Sequence, residues 1–157
     1  MRKPHRRKDN YKRDSGGEVE VDDTEEAKSG WTKFSTDYMV MDDDSEDKAD
    51  ATLVMVNHED GGVFAYAVPN KGILGESQWI TRRMSKDIDN CGNSNSKLQI
   101  KSDQEPSIVV VQEEIRRLRT GRTICTNSPV GESECNGRAE NAVKRVENKF
   151  RTIKANL

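Results

Sequence analysis

Hydrophobic positions show no periodicity before residue 34, and a strong one from there on. Residues 34–41 form an apolar run broken by Asp37, which predicts a strand. Residues 52–56 and 63–68 predict two more, with Asp60, Gly61 and Gly62 as the hairpin turn between them, since glycine supplies the positive φ that such turns need. Both runs are apolar on both faces, so the expected sheet is covered by helices on each side. Ser77 opens a helix with Ile80, Met84 and Ile88 on one stripe and Gly92 as its stop. Residues 97–101 alternate as a fourth strand that ends at Asp103. Pro106 then starts a helix striped by Ile108, Val111, Ile115 and Leu118 and closed at Gly121. Residues 123–125 predict a short fifth strand, residues 127–131 a loop, and the last helix carries Ala139, Val143, Val146, Phe150 and Ile153. Three strands on short connections, followed by alternating helices and strands, indicate a mixed α/β sheet flanked by helices.

Composition changes this picture mainly at the ends. Of 157 residues, 34% are charged and only 32% apolar. The polarity gathers in residues 1–33 and 42–50, so the expectation is a disordered charged arm over 1–33, an acidic loop at 42–50, and a globular core over 34–157 with roughly 115–125 packed residues. The net charge of −2 hides a +5 balance in residues 1–15, −10 in residues 18–50 and +6 in residues 116–157. A basic region beside an acidic one suits a polyanionic partner, or else a solvated helix face. No stretch has the length or apolarity of a membrane span or a signal peptide, so no membrane association is expected. The three cysteines, Cys91, Cys125 and Cys135, lack metal-ligand spacing, and their odd number argues against a disulfide framework and for a reducing intracellular compartment. The basic cluster between Arg2 and Arg13 is compatible with a nuclear address or with phosphate contacts.

Three acids carry the candidate chemistry. Asp37 sits inside the first strand, Asp103 at the end of the fourth, and Glu140 lies 37 positions later on the last helix. If the first and fourth strands are parallel neighbours, Asp37 and Asp103 come side by side and Glu140 can face them. Carboxylates so placed hold a divalent cation for phosphoryl-transfer chemistry. Other roles are open to each: a polar edge-strand residue for Asp37, a helix cap for Asp103, a surface pair with Lys144 for Glu140. Asn136, Glu140 and Lys144 repeat at i, i+4 and i+8 and share one helix face.

Four segments in order resemble the catalytic core of retroviral-type integrases, the DDE recombinases, in the form found in LTR-retrotransposon polyproteins. They are Thr36-Asp37-Tyr38-Met39-Val40-Met41, the run from Val63 through Pro69-Asn70-Lys71-Gly72, Lys101-Ser102-Asp103-Gln104-Glu105-Pro106, and the run from Asn127-Ser128-Pro129 through Cys135-Asn136-Gly137-Arg138-Ala139-Glu140-Asn141. The resemblance implies an RNase H-like fold with a five-stranded sheet. It places the D,D,E triad on Asp37, Asp103 and Glu140 as catalytic residues and as ligands of two Mg²⁺ or Mn²⁺ ions. It implies DNA contacts by Asn136 and Lys144, and a loop at residues 127–131 that positions the strand. The implied activity is metal-dependent strand transfer between element DNA ends and target DNA, in the nucleus, by a homodimer or higher oligomer. The family's N-terminal zinc-binding ligands are absent from this sequence, and the family pattern continues past the Glu-bearing helix, so the core is expected to be C-terminally truncated. The alternatives are an RNase H-like nuclease and a decayed or domesticated fragment that binds nucleic acid without catalysis.

Overall fold

A computed structural model describes residues 30–40, 51–128 and 136–157. The charged arm up to residue 29, the acidic loop at 42–50 and residues 129–135, including Cys135 and most of the loop expected after Asn127, lie outside the described residues. The first strand, β1, spans Thr32–Val40, followed by β2 (Ala51–Asn57) and β3 (Val63–Val68). Helix α1 covers Trp79–Ile88, β4 Leu98–Ser102, α2 Pro106–Leu118, β5 Thr123–Asn127 and α3 Gly137–Ala155. The sheet order is β3-β2-β1-β4-β5, with the β1–β2–β3 meander antiparallel and β1, β4 and β5 mutually parallel. The elements expected from hydropathy are all present, in the expected order.

Alternation on β1 divides the molecule into two layers. Phe34 and Tyr38 point to one face, where they join Leu53, Met55, Ile80, Met84, Ile88, Leu98, Ile100, Ile108 and Ile115 in the main core under α1 and α2. Met39 points to the other and packs with Val54, Val56 and Ala142 under α3. Every residue of β2 is buried, as a strand covered on both faces must be. The hairpin after it closes through Asn57, whose carbonyl accepts from the Gly61 amide and whose own amide donates to the Gly62 carbonyl, with Gly61 at φ +70.

Three local features differ from the hydropathy reading. β1 begins at Thr32 instead of Phe34, because Trp31 is buried and cations stand over its ring, Lys97 Nζ at 5.9 Å and Arg122 Cζ at 5.2 Å. The α1 helix runs on into a π-type turn over Asp89–Asn93, and Gly92 at φ +83 provides the left-handed residue that stops it. The apolar stripe of α3 buries only its first half: Ala139 and Ala142 are covered, whereas Phe150 is 42% and Ile153 57% exposed, lining an open groove with Val63 and Ala65 of β3.

Candidate active site

β1 and β4 position the two aspartates. Their parallel register pairs Thr32 with Leu98 and Ser35 with Lys101, an offset of 66 (101 − 35). Continued by two residues, that offset sets Asp37 opposite Asp103, the first residue beyond β4. Odd-numbered residues of β1 face α3, so Asp37 looks toward the helix that carries Glu140. Glu140 lies in the first turn of α3, half-buried. The sheet and that helix thus bring the three sequence-predicted acids to one end of β1, within electrostatic reach of each other.

Asp37 registers the convergence directly. Its carboxyl is raised to about 6, first by burial, and further by the negative charges of Asp103, Glu140 and Glu105, against the lowering effect of the Tyr38 amide. That amide donates to Asp37 Oδ1 at 2.8 Å. Asp103 Oδ1 accepts from the Glu105 amide at 3.2 Å, so it secures the turn ahead of α2, while the helix's own N-cap is Glu105. Glu140 makes no ion pair with Lys144 among the described residues, so the ordinary surface pair open to it in the sequence is not formed. Among the described residues no three ligating groups already close on one point as a cation cage.

Two DNA-contact candidates are placed differently. Asn136 is 5% exposed, and its Oδ1 is buried without a hydrogen-bond partner among the described residues. Lys144, two turns along the same face of α3, is exposed. The face graded Asn136, Glu140, Lys144 therefore runs from the sheet outward to solvent.

Several polar residues beside the acids were given no role in the sequence reading, although Tyr38, Lys71, Glu105 and Arg138 lie within the segments that carry the resemblance. Glu105 accepts from Lys71 Nζ at 2.9 and 3.1 Å and from Ser107 Oγ at 2.6 Å; burial opposes the effect, but these two partners hold its carboxyl below the usual range. Lys71 also stands 5.0 Å from the Tyr38 ring centre, and the Tyr38 hydroxyl accepts from the Gly72 amide at 2.9 Å. The loop after β3 is thereby tied to β1 and to the start of α2. On the α3 side, His58 Nε2 lies 2.7 Å from Ser35 Oγ and the Arg138 guanidinium donates to the His58 carbonyl at 2.9 Å. Cys125 sits on the opposite, α2-side face of the sheet, and burial pushes its thiol up to about 12.

No family model matches the chain, and no curated protein sequence does. Solved structures match it in fold. The chain superposes on simian T-cell lymphotropic virus integrase assembly, an intasome in complex with PP2A regulatory subunit B56 gamma, with a TM-score of 0.50 and 16% identity over 80% of this chain and 42% of that one. The catalytic core domain of BIV integrase gives 0.49 and 12% identity over 80% and 72%, and the HTLV-2 integrase catalytic core in complex with magnesium, in its trimeric form, gives 0.48 and 16% over 80% and 74%. At such identities the likeness is one of architecture. The fold is that of integrase catalytic cores, RNase H-like, with five mixed strands flanked by helices.

Proposed function

We propose that this chain is an integrase-type polynucleotidyl transferase domain that joins DNA strands by in-line displacement at phosphorus. The observation that carries the reading is that Asp103 and Glu140 lie close enough to the buried Asp37 for their charges to raise its proton affinity further. Like charges about 4 Å apart repel by roughly 4 kcal/mol at an effective dielectric near 20, so acids drawn closer call for a cation between them. The donor set fits a hard one: three carboxylates and no sulfur ligand suit Mg²⁺ or Mn²⁺, two ions in the full reading. Bound there, such ions supply Lewis-acid polarisation of the phosphoryl oxygens and a more acidic attacking hydroxyl or water.

The residues of the chain do the holding and orienting. Asp37 is fixed by the sheet, and Asp103 by its bond to the Glu105 amide. Glu140 rides on α3, which packs on β1 and β2 through Ala142 and Val143, so its distance from the aspartates depends on that packing. Lys144, exposed one turn further out on the same helix face, would meet a backbone phosphate, whereas Asn136 is buried at the helix start and would orient the loop before it, not contact DNA directly. A protein nucleophile is not needed for transesterification, and Cys125, protonated and on the far face, does not supply one. The same acids serve hydrolysis in an RNase H-like nuclease, and product analysis separates joining from cleavage.

Thermal melting with Mn²⁺ tests the acid site without requiring turnover. At ~10 mM metal and a Kd of ~1 mM, the wild type should gain ~1.4 kcal/mol, while Asp103→Asn keeps its fold and loses the gain. An equal gain in Asp103→Asn, or none in a folded wild type, would remove the metal-site reading.

A further inference from the structure

On the sheet face that carries Asp37, a cluster of cations lies one step behind the acids. Lys33 and Ser35 precede Asp37 on β1 by four and two residues, and Lys101 precedes Asp103 by two on the neighbouring strand, so all share that face. Ser35 is the register partner of Lys101. His58 follows β2 and donates its amide to the Lys33 carbonyl at 2.9 Å, while its ring meets Ser35. Arg138, in the first turn of α3, closes the group by its bond to the His58 carbonyl. Three elements and one loop therefore bring Lys33, Lys101 and Arg138 around a single imidazole.

None of these three cations has an ion-pair partner among the described residues. Arg116, Arg117 and Arg151 on α2 and α3 contrast with them, since each pairs with a glutamate on its own helix. The imidazole reports the field. Burial first, then Arg138, Lys33 and Lys101 in turn, lower it to about 4, so His58 stays neutral and adds no fourth charge. Ser35 Oγ, 1% exposed, and His58 make an uncharged hydrogen-bonded floor. Clustered unpaired cations over such a floor repel one another, and a bound anion offsets that.

We infer that Lys33, Lys101 and Arg138 form a phosphate-binding notch for a backbone phosphodiester of a nucleic-acid strand, adjacent to the phosphate presented to Asp37, Asp103 and Glu140. Lys101 lies two residues of strand from Asp103, roughly 7 Å, and Lys33 four from Asp37, roughly 13 Å. A strand seated in the notch would run along the sheet face toward the acids and on to Lys144. The notch deepens the proposed function, because it takes the same strand and fixes the direction from which it reaches the acids. It needs no metal, so the two ideas stand or fall separately.

Fluorescence anisotropy of a branched DNA oligonucleotide, titrated in EDTA across a range of salt, tests it. Variants are Lys33→Gln with Lys101→Gln, Arg138→Gln alone, and the control Lys86→Gln, whose exposed lysine lies on α1 on the other side of the sheet. The double variant should bind several-fold more weakly, with its slope of log K against log salt reduced by about 1.4–1.8, and Arg138→Gln by about half that. Lys86→Gln should match wild type, and the Mn²⁺ melting shift should survive in every variant. A double variant that is folded and binds with unchanged affinity and slope overturns the notch, as does a folded wild type with no salt-dependent DNA binding. If the notch variants weaken binding while the Mn²⁺ shift is missing from wild type, the notch stands and the metal-site reading falls.

Discussion

Asp37 and His58 are two residues on one sheet face whose proton affinities move in opposite directions for related reasons. Asp37 is raised to about 6, by burial and by neighbouring acids; His58 is lowered to about 4, by burial and by neighbouring cations. Their linkage to stability is therefore opposed over the same window. As pH falls from about 6.5 toward 4, the unfolded chain protonates its histidine before the folded one, so His58 takes stability away. Over the lower part of that window, folded Asp37 takes up its proton before the unfolded carboxyl does, so Asp37 adds stability, which is lost again as pH rises through 6. His58→Gln should accordingly make stability fall less steeply, or rise, on acidification through this range, read from urea midpoints at several pH values. A pH profile identical to wild type would show that His58 is not held neutral. Asp37 and Asp103 stood out in the sequence because they lie within and at the end of apolar strands, while Glu140, on a helix, was singled out with them only by the family resemblance. His58 and Arg138 were not, since 80 residues separate them and only the fold makes them neighbours. The burial of Asn136 was equally hidden, because a position at i−4 from Glu140 says which face it shares but not how deep the helix start sits.

Helices and strands were more legible than the residues between them. Their periodicity reflects burial on a definite face: Ile80, Met84 and Ile88 are all fully or nearly fully covered, as an amphipathic stripe requires. The same logic misjudged α3. Its stripe continues through Phe150 and Ile153, yet both stay largely open to solvent, and periodicity in one element cannot report how closely the surface opposite packs on it. The difference has a measurable consequence. Met84→Ala, fully buried between α1 and the sheet, should cost about 3 kcal/mol, whereas Phe150→Ala, 42% exposed, should cost under about 1 kcal/mol. Comparable losses in denaturant unfolding would mean that the end of α3 is covered in solution. The early start of β1 is a second case, because Trp31 is a lone aromatic in the sequence and becomes a strand-leading core residue only through the cations above it.

For the molecule as a whole, the parallel pairing of β1 with β4 is what converts a sequence spacing into a site. Without it, Asp37 and Asp103 would be two unrelated acids 66 positions apart; with it, they lie opposite one another and α3 brings Glu140 to them. The four motifs in a fixed order implied this fold, and the parallel pairing is the arrangement that the reading of the three acids required. The arrangement of charge could not, because the sums over residues 1–15, 18–50 and 116–157 do not distinguish the arginines neutralised on their own helices from the cations left beside the acids. The most direct test of the account is a pre-branched DNA that mimics the joined product, incubated with Mn²⁺ and either wild type or Glu140→Gln. The reacting phosphate is already presented in such a substrate, so the core residues are tested with the least dependence on other contacts. Wild type should resolve the branch into a rejoined target strand and a released end, and Glu140→Gln, equally folded, should not. Silence from a folded wild type, or equal resolution by Glu140→Gln, would contradict the account.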